Sequence, residues 1–437
     1  MNQNKIEKNI FLSRLLTRSG DQAWDFAVPL TLIALFLKQP QIAFWYFFLS
    51  KLGTFVFTPY VGRLIDKNKR TTTAKLGIGL QVSFLVVTTL IICILYFYKI
   101  DTNTLNFAFV LSFIGLVISG VISNLGAIIM DIAIANDLVP GVIPPEDLPR
   151  VNSRLRQIDL FSEVASPILA GLLLLISTPD VAIMGFLLIA LWNLLSFYPE
   201  LYLLNKIFEV NPTLINKPVK VSASTQLSLF AKFKNGWVHF TQQKVALSIV
   251  SYSLLWLSVL SPHGVLLTAF LKGSWHLSEL VIGLFRALGA LFGLAATVAY
   301  PKVHKKMGLL KASRFFIFFQ AAMVILAIIC FIEGDGIWKY GFLGFILISR
   351  IGLYGFMLGE QEIRQIGISE EVRGEINGFA SALNSLATLF LFLLGAILSS
   401  SSDFPKLITI SVAAVVLGAV LFGSWASSRH SIQSENK

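Results

Sequence analysis

Gly62-Arg63-Leu64-Ile65-Asp66-Lys67-Asn68-Lys69-Arg70 is a short charged stretch between two apolar runs, 41–65 and 72–99. Each run is long enough to cross the roughly 30 Å hydrocarbon core of a bilayer as a helix. So short a connection leaves the two helices as antiparallel neighbours, with their charges at one membrane face. The rest of the chain repeats the pattern. Of its 437 residues 55% are hydrophobic and only 14% charged, where a soluble protein carries about a quarter. Further apolar runs lie at 10–37, 104–136, 147–177, 180–208, 244–271, 278–301, 309–332, 338–366, 371–399 and 405–427. The chain is read as an all-α membrane protein of twelve transmembrane helices.

The net charge of +11 invites a nucleic-acid reading, but its placement argues for the lipid bilayer as partner. Basic residues gather in alternate loops: Arg63, Lys67, Lys69 and Arg70; Lys217, Lys220 and Lys232; Lys302, Lys305 and Lys306. The intervening loops hold about one each, at Lys38, Lys99, Lys272, Lys339 and Lys406. That asymmetry is the positive-inside rule. It places both termini in the cytoplasm, which needs an even number of spans. Residues 1–9 are polar and no small-residue cleavage site follows, so no removable leader is expected. Cys93 and Cys330 each sit in mid-span and read as packing residues.

The longest polar interruption, 209–243, follows the sixth run. It divides the chain into an N-terminal six-helix bundle (1–208), a cytoplasmic linker (209–243) and a C-terminal six-helix bundle (244–437). Part of the linker, 227–240, is amphipathic enough to lie on the membrane surface. A degraded copy of the opening stretch, Pro301-Lys302-Val303-His304-Lys305-Lys306-Met307-Gly308, falls at the matching place in the second half. The first copy resembles the Gly-x-x-x-Asp-x-x-x-Arg signature of the major facilitator superfamily. That resemblance implies two bundles that rock about a central site, in a protein that is a monomer by default.

Polar residues in costly places mark where that site lies. Asp21 and Asp25 fall inside the first run, and Thr17, Asp21 and Asp25 share one helical face. An acidic side chain at this depth costs about 2.5–3.5 kcal/mol or more unless it meets a polar partner or cavity. Gln81 interrupts the third run. Asn193, Ser196 and Glu200 form one stripe in the sixth, where Pro199 frees the carbonyl of Leu195. If the first and sixth helices face each other, Asp21, Gln81, Asn193 and Glu200 present carboxylate and amide oxygens around one point, a set suited to hard or borderline divalent cations. The seventh run is broken by Ser261-Pro262-His263-Gly264, and broken helices in mid-membrane are where transporters place binding sites. His263 is the candidate ligand there. His239, His276, His304 and His430 read as loop or interface residues.

Gly20-Asp21-x-x-Trp24-x-Phe26-Ala27-Val28, Asp66-Lys67-Asn68-x-Arg70, Trp192-Asn193-Leu194-x-Ser196, Arg350-Ile351-Gly352-Leu353 and Arg373-Gly374-x-Ile376-Asn377-Gly378 together resemble the ferroportin family of iron exporters, over nearly the whole chain. The resemblance implies export of Fe(II), with Co(II), Zn(II) or Ni(II) as further substrates, by alternating access. It assigns metal binding to Asp21, and bound calcium to Asp21, Gln81, Asn193 and Glu200. The animal family has histidine where this chain has Asp25, and the cysteine of its broken seventh helix corresponds to Gly264. The histidine near its eleventh span has no counterpart. The second-half site is therefore expected to be rebuilt or weaker, with His263 as the candidate ligand, and the chain to be a bacterial relative without the peptide response of animal members.

The expectation is a divalent-metal exporter, with proton coupling if metal must displace protons from Asp21, Asp25 or His263. No resident cofactor is expected. Arg70, Asp137, Arg154, Glu371 and Arg373 are candidates for an inner gate. A drug–proton antiporter of the same superfamily and a non-transporting membrane receptor are the competing readings; the first does not account for the Asn193–Glu200 stripe opposite Asp21, and the second is expected to bind metal without flux. No nucleotide motif or interfacial catalytic cluster supports an enzyme.

Overall fold

The computed structural model describes residues 3–36, 41–97, 106–175, 183–210, 229–262, 264–277, 279–334, 336–398 and 401–435. Among these no strand occurs. The helices are α1 (Gln3–Leu35), α2 (Gln41–Lys67), α3 (Arg70–Phe97), α4 (Phe107–Asp131), α5 (Val139–Val142), α6 (Leu148–Leu175), α7 (Met184–Val210) and α8 (Leu229–Thr241). They continue as α9 (Ala246–Leu254), α10 (Val265–Gly273), α11 (Glu279–Met307), α12 (Leu309–Glu333), α13 (Ile337–Gly367), α14 (Arg373–Ile397) and α15 (Phe404–Glu435). Nine described segments are long and apolar enough to cross a membrane. Helices α1 and α2 and the pair α9 and α10 stand where the sequence places the first, second and seventh spans.

Two compact units divide the chain: Met1–Val142, Ile158–Gly236 and Ser369–Ala382 form the first, and Ile143–Gln157, Trp237–Ile368 and Leu383–Lys437 the second. In the first, α1 supplies the central buried stripe. It runs Ile6, Ile10, Ser13, Thr17, Gly20, Ala23 and Ala27 at helical spacing, apolar at both ends and polar between. An amphipathic face in a bilayer is reversed in purpose: the polar stretch turns inward because lipid cannot hydrate it. Ile65, Ile129 and Ile132 form a separate apolar core joining α2 to α4.

The opening sequence stretch acquires a physical meaning in this unit. Asp66 lies at the N-terminus of α14, where its carboxylate accepts from the backbone N–H of Gly374 (2.7 Å) and Glu375 (2.6 Å). These are donors a helix start leaves unsatisfied, and the negative charge suits the positive end of the helix dipole. Gly62 and Gly374 together admit the approach: a Cβ at Gly62 would overlap the Gly374 carbonyl oxygen, and one at Gly374 would stand 2.5 Å from the Gly62 carbonyl oxygen. Arg63 pairs with Glu375 at 2.7 Å. These bonds hold Ser369–Ala382 in the first unit although it lies far along the chain.

Helix α4 runs into a π-helical turn, Ile132–Leu138, before α5. The turn buries Asn136 and Asp137. In the second unit, α11 and α12 are joined through Gly308 at φ 76°, a left-handed conformation that glycine adopts without strain. Gly352, Gly355 and Gly359 put a smooth stripe of α13 against α12: a Cβ at Gly352 would come within 2.6 Å of Gln320, and one at Gly355 would overlap the Phe316 ring. Small residues of this kind let membrane helices pack backbone to backbone.

The seventh span is broken as its Pro-His-Gly sequence predicts. Helix α9 stops at Leu254 and α10 starts at Val265. The exposed backbone of the break is satisfied from outside: Arg350 Nη2 donates to the Leu260 carbonyl (2.6 Å), and Ser411 Oγ accepts from Val259 N–H (2.9 Å). Phe270 of α10 stacks on Phe404 with centroids 3.8 Å apart, which anchors the second half-helix. Helix α8 occupies the amphipathic stretch of the linker; the remainder of 211–228 and His263 itself lie outside the described residues.

Candidate functional site

Three helices of the first unit bring the polar residues together on α1. Asn193 of α7 donates Nδ2 to the backbone carbonyl of Gly20 at 2.8 Å. Only glycine fits beneath it, since a Cβ at position 20 would lie 2.6 Å from Asn193 Oδ1. One residue on, Asp21 Oδ1 accepts from Gln81 Nε2 of α3 at 3.1 Å. One turn back, the Thr17 hydroxyl is shared between the Ser13 carbonyl (3.0 Å) and Glu200 Oε1 of α7. Ser196 spends its proton on the carbonyl of Asn193, 2.7 Å away, leaving the hydroxyl oxygen as an acceptor. Trp24 and Phe186, with ring centroids 5.3 Å apart, continue the contact of α1 with α7 beyond the polar stretch.

The electrostatics follow from burial. Glu200 is 0% exposed, Asn193 2% and Gln81 3%. Among the described residues, Glu200 Oε2 and Gln81 Oε1 are buried acceptors without a donor. A buried carboxylate oxygen with no donor is costly, and a cation relieves that cost directly. Asp21 is half-buried. The donor set is therefore carboxylate, amide and hydroxyl oxygen. Among the described residues, no three His, Cys, Asp or Glu side chains gather to hold a metal, so any cation here relies on the amide and hydroxyl groups as well.

Asp25 departs from the expected column. It is exposed, whereas Thr17 is buried. Each i→i+4 step over-rotates by about 40° on a helix of 3.6 residues per turn, so two steps carry the side chain about 80° around. His263 lies outside the described residues. His304, expected as a loop or interface residue, sits in the last turn of α11, where its Nε2 meets Glu362 Oε1 at 3.0 Å; the same carboxylate accepts from the Tyr300 hydroxyl at 2.9 Å.

Sequence reasoning missed a charged network immediately below the site. Arg14 grips Asp159 of α6 with Nε (2.7 Å) and Nη2 (2.9 Å) and Asp131 of α4 with Nη1 (2.7 Å). Arg18 joins the same two carboxylates at 2.7 and 3.3 Å. The signal was available: two arginines four apart in an apolar run demand buried acids. Of the expected gate residues, Arg70 meets Asp137 at 3.1 Å, both almost fully buried, and the second acid that it reaches is Glu370, the neighbour of the expected Glu371. Arg154 belongs to the second unit.

The family model described as Ferroportin1 (FPN1) matches residues 4–415. The chain is also 41% identical, over 98% of its length and 97% of the relative's, to "Ferreportin" of Bdellovibrio bacteriovorus. The chain belongs to the ferroportin family. Among solved structures, a bacterial homologue of the iron transporter ferroportin in its outward-facing state aligns with a TM-score of 0.88 at 42% identity, covering 97% of this chain and 99% of that one. The inward-facing state of a bacterial homologue aligns at 0.66 and 41% identity, covering 98% and 100%. The proton:xylose symporter XylE aligns at 0.71 with 14% identity, over 97% and 96% of the two chains. At that identity the likeness speaks for the fold alone, and it gives this ferroportin-family chain a major facilitator fold.

Proposed function

We propose that this ferroportin-family protein exports divalent metal ions from the cytoplasm by alternating access, with Fe2+ as the principal substrate and Co2+, Zn2+ and Ni2+ as further ones. The observation that carries the reading is the convergence of Asp21, Gln81, Asn193 and Glu200 from α1, α3 and α7, with two buried oxygens lacking donors. The iron-transporter relatives support the substrate class, and their outward- and inward-facing states support the transport cycle.

In this reading the substrate ion binds Asp21 and Asn193, with Thr17 and Ser196 completing the shell. Glu200 and Gln81 are the inner oxygens that a second geometry of the ion engages. His263 serves the other lobe at the break between α9 and α10. The drug-antiporter alternative predicts one acid in an aromatic cavity and leaves the Glu200 burial without a purpose. Because the donors are all oxygen, Ca2+ is a competing occupant of the same cluster. We place the protein in the bacterial inner membrane as a monomer, with both termini and the Arg63–Arg70 end cytoplasmic. Proton coupling enters if Asp21 or His263 releases a proton on binding metal.

Proteoliposomes loaded with a metal-quenched dye test the proposal. Wild type is expected to give saturable Co2+ or Fe2+ flux, abolished in Asp21→Ala and strongly reduced in Asn193→Ala. Flux that survives in Asp21→Ala removes the site assignment, and absence of any metal flux removes the function. Equal rates with and without a pH gradient remove the coupling.

A further inference from the structure

The network of Arg14, Arg18, Asp131 and Asp159 lies on the same stretch of α1 as the cation site. Arg18 stands three residues before Asp21, and Arg14 three before Thr17, whose hydroxyl meets Glu200. Residues three apart on a helix are surface neighbours, so an arginine at such spacing pairs readily with an aspartate. Here it does not. The Arg18 guanidinium is turned onto Asp131 (2.7 Å) and Asp159 (3.3 Å), and Arg14 closes a two-bonded fork on Asp159 and a third bond on Asp131. Asp131 Oδ1 accepts from both guanidiniums at 2.7 Å.

We infer that Asp131 and Asp159 are positioning residues that hold two tethered cations away from the transport site and so set its affinity for a divalent ion. The inference rests on the export reading above. Charge counting gives its logic. Two guanidiniums and two carboxylates neutralise one another within the network. Asp21 and Glu200 are then left without a guanidinium in direct contact, which leaves their oxygens open to a divalent cation. Remove the Asp159 charge, and Arg18 loses one of the two carboxylates it is ion-paired with, while Asp21 remains one helical turn away. A side chain fixed to the same helix competes for that carboxylate at high effective concentration. The site becomes self-neutralised, and the mobile ion must displace the arginine.

The decisive property is rescue. In full-length protein reconstituted in liposomes, Asp159→Asn is expected to raise the KM for Co2+ by about tenfold, with the maximal rate held within about twofold, because a tethered competitor acts on occupancy. Adding Arg18→Gln to that variant is expected to return the KM to near the wild-type value, although the double variant regains none of the lost α1–α6 bonds and its Tm stays lowered. Asp131→Asn, on a side chain 37% exposed, gives the same pattern if Asp159→Asn does not fold. An unchanged KM in the single variant, or a KM still raised after Arg18→Gln, overturns the inference. Wild-type liposomes run alongside keep the two readings apart, since loss of their metal flux refutes export itself.

Discussion

Asn193 and Gly20 show how much of the site rests on single atoms. The amide reaches a helix carbonyl only because position 20 carries no side chain, with 2.6 Å between Asn193 Oδ1 and where a Cβ would be. Gly20→Ala is therefore expected to push the amide away and cost about 1–3 kcal/mol of stability, as overpacking does. Metal flux should fall with it. A scanning fluorimetry Tm beside a flux assay checks both; unchanged Tm and flux would show that the contact gives way without consequence. Glu200 offers the complementary test. Glu200→Gln keeps volume and one carbonyl oxygen but removes the ionisable carboxyl buried against Thr17. Its binding isotherm for Co2+ should weaken well beyond the error of the titration while Tm holds or rises, because a buried charge is itself costly. A large Tm loss with intact affinity would assign Glu200 to packing.

At the scale of elements, the break between α9 and α10 depends on a borrowed donor. Arg350 is buried, and its Nη2 satisfies the Leu260 carbonyl at 2.6 Å. Arg350→Leu leaves that carbonyl without its side-chain donor, at a cost of about 1–3 kcal/mol. The expected readout is faster hydrogen exchange over 255–261, with α11 and α12 unaffected. The start of α14 is held in a different way, by a carboxylate on two backbone donors. Asp66→Ala removes a helix N-cap, worth about 0.5–2 kcal/mol. Exchange protection at Gly374 and Glu375 should drop first, before any global change; equal protection in both proteins would remove the capping role.

For the molecule as a whole, the distribution of lysine and arginine makes a topological claim that is independent of the site. With Cys93 and Cys330 replaced by serine, a single cysteine introduced at Asn68 should react with a membrane-impermeant thiol reagent only when the cytoplasmic face is open to it. One introduced at Lys339 should react from outside in intact cells. The reverse pattern would invert the orientation, and with it the direction assigned to transport.

What could be read along the chain, and what could not, divides by the range of the interactions involved. The membrane character, the broken seventh span, the amphipathic α8 and the polar stripe of α1 were legible because lipid penalises each misplaced polar group locally, whatever its distant neighbours are. The candidates Asp21, Gln81, Asn193 and Glu200 stood out in the chain for the same reason, as polar groups in apolar runs. Their pairing was not: that Asn193 binds the carbonyl of Gly20, that Glu200 meets Thr17, and that Asp25 turns outward depend on helix rotation and on which helices touch. The Arg14–Asp159 fork, the Asp66 cap on α14 and the Tyr300–Glu362–His304 contact join residues 145, 308 and 58 to 62 positions apart. Solvent chose which residues turn inward, and packing in three dimensions chose their partners.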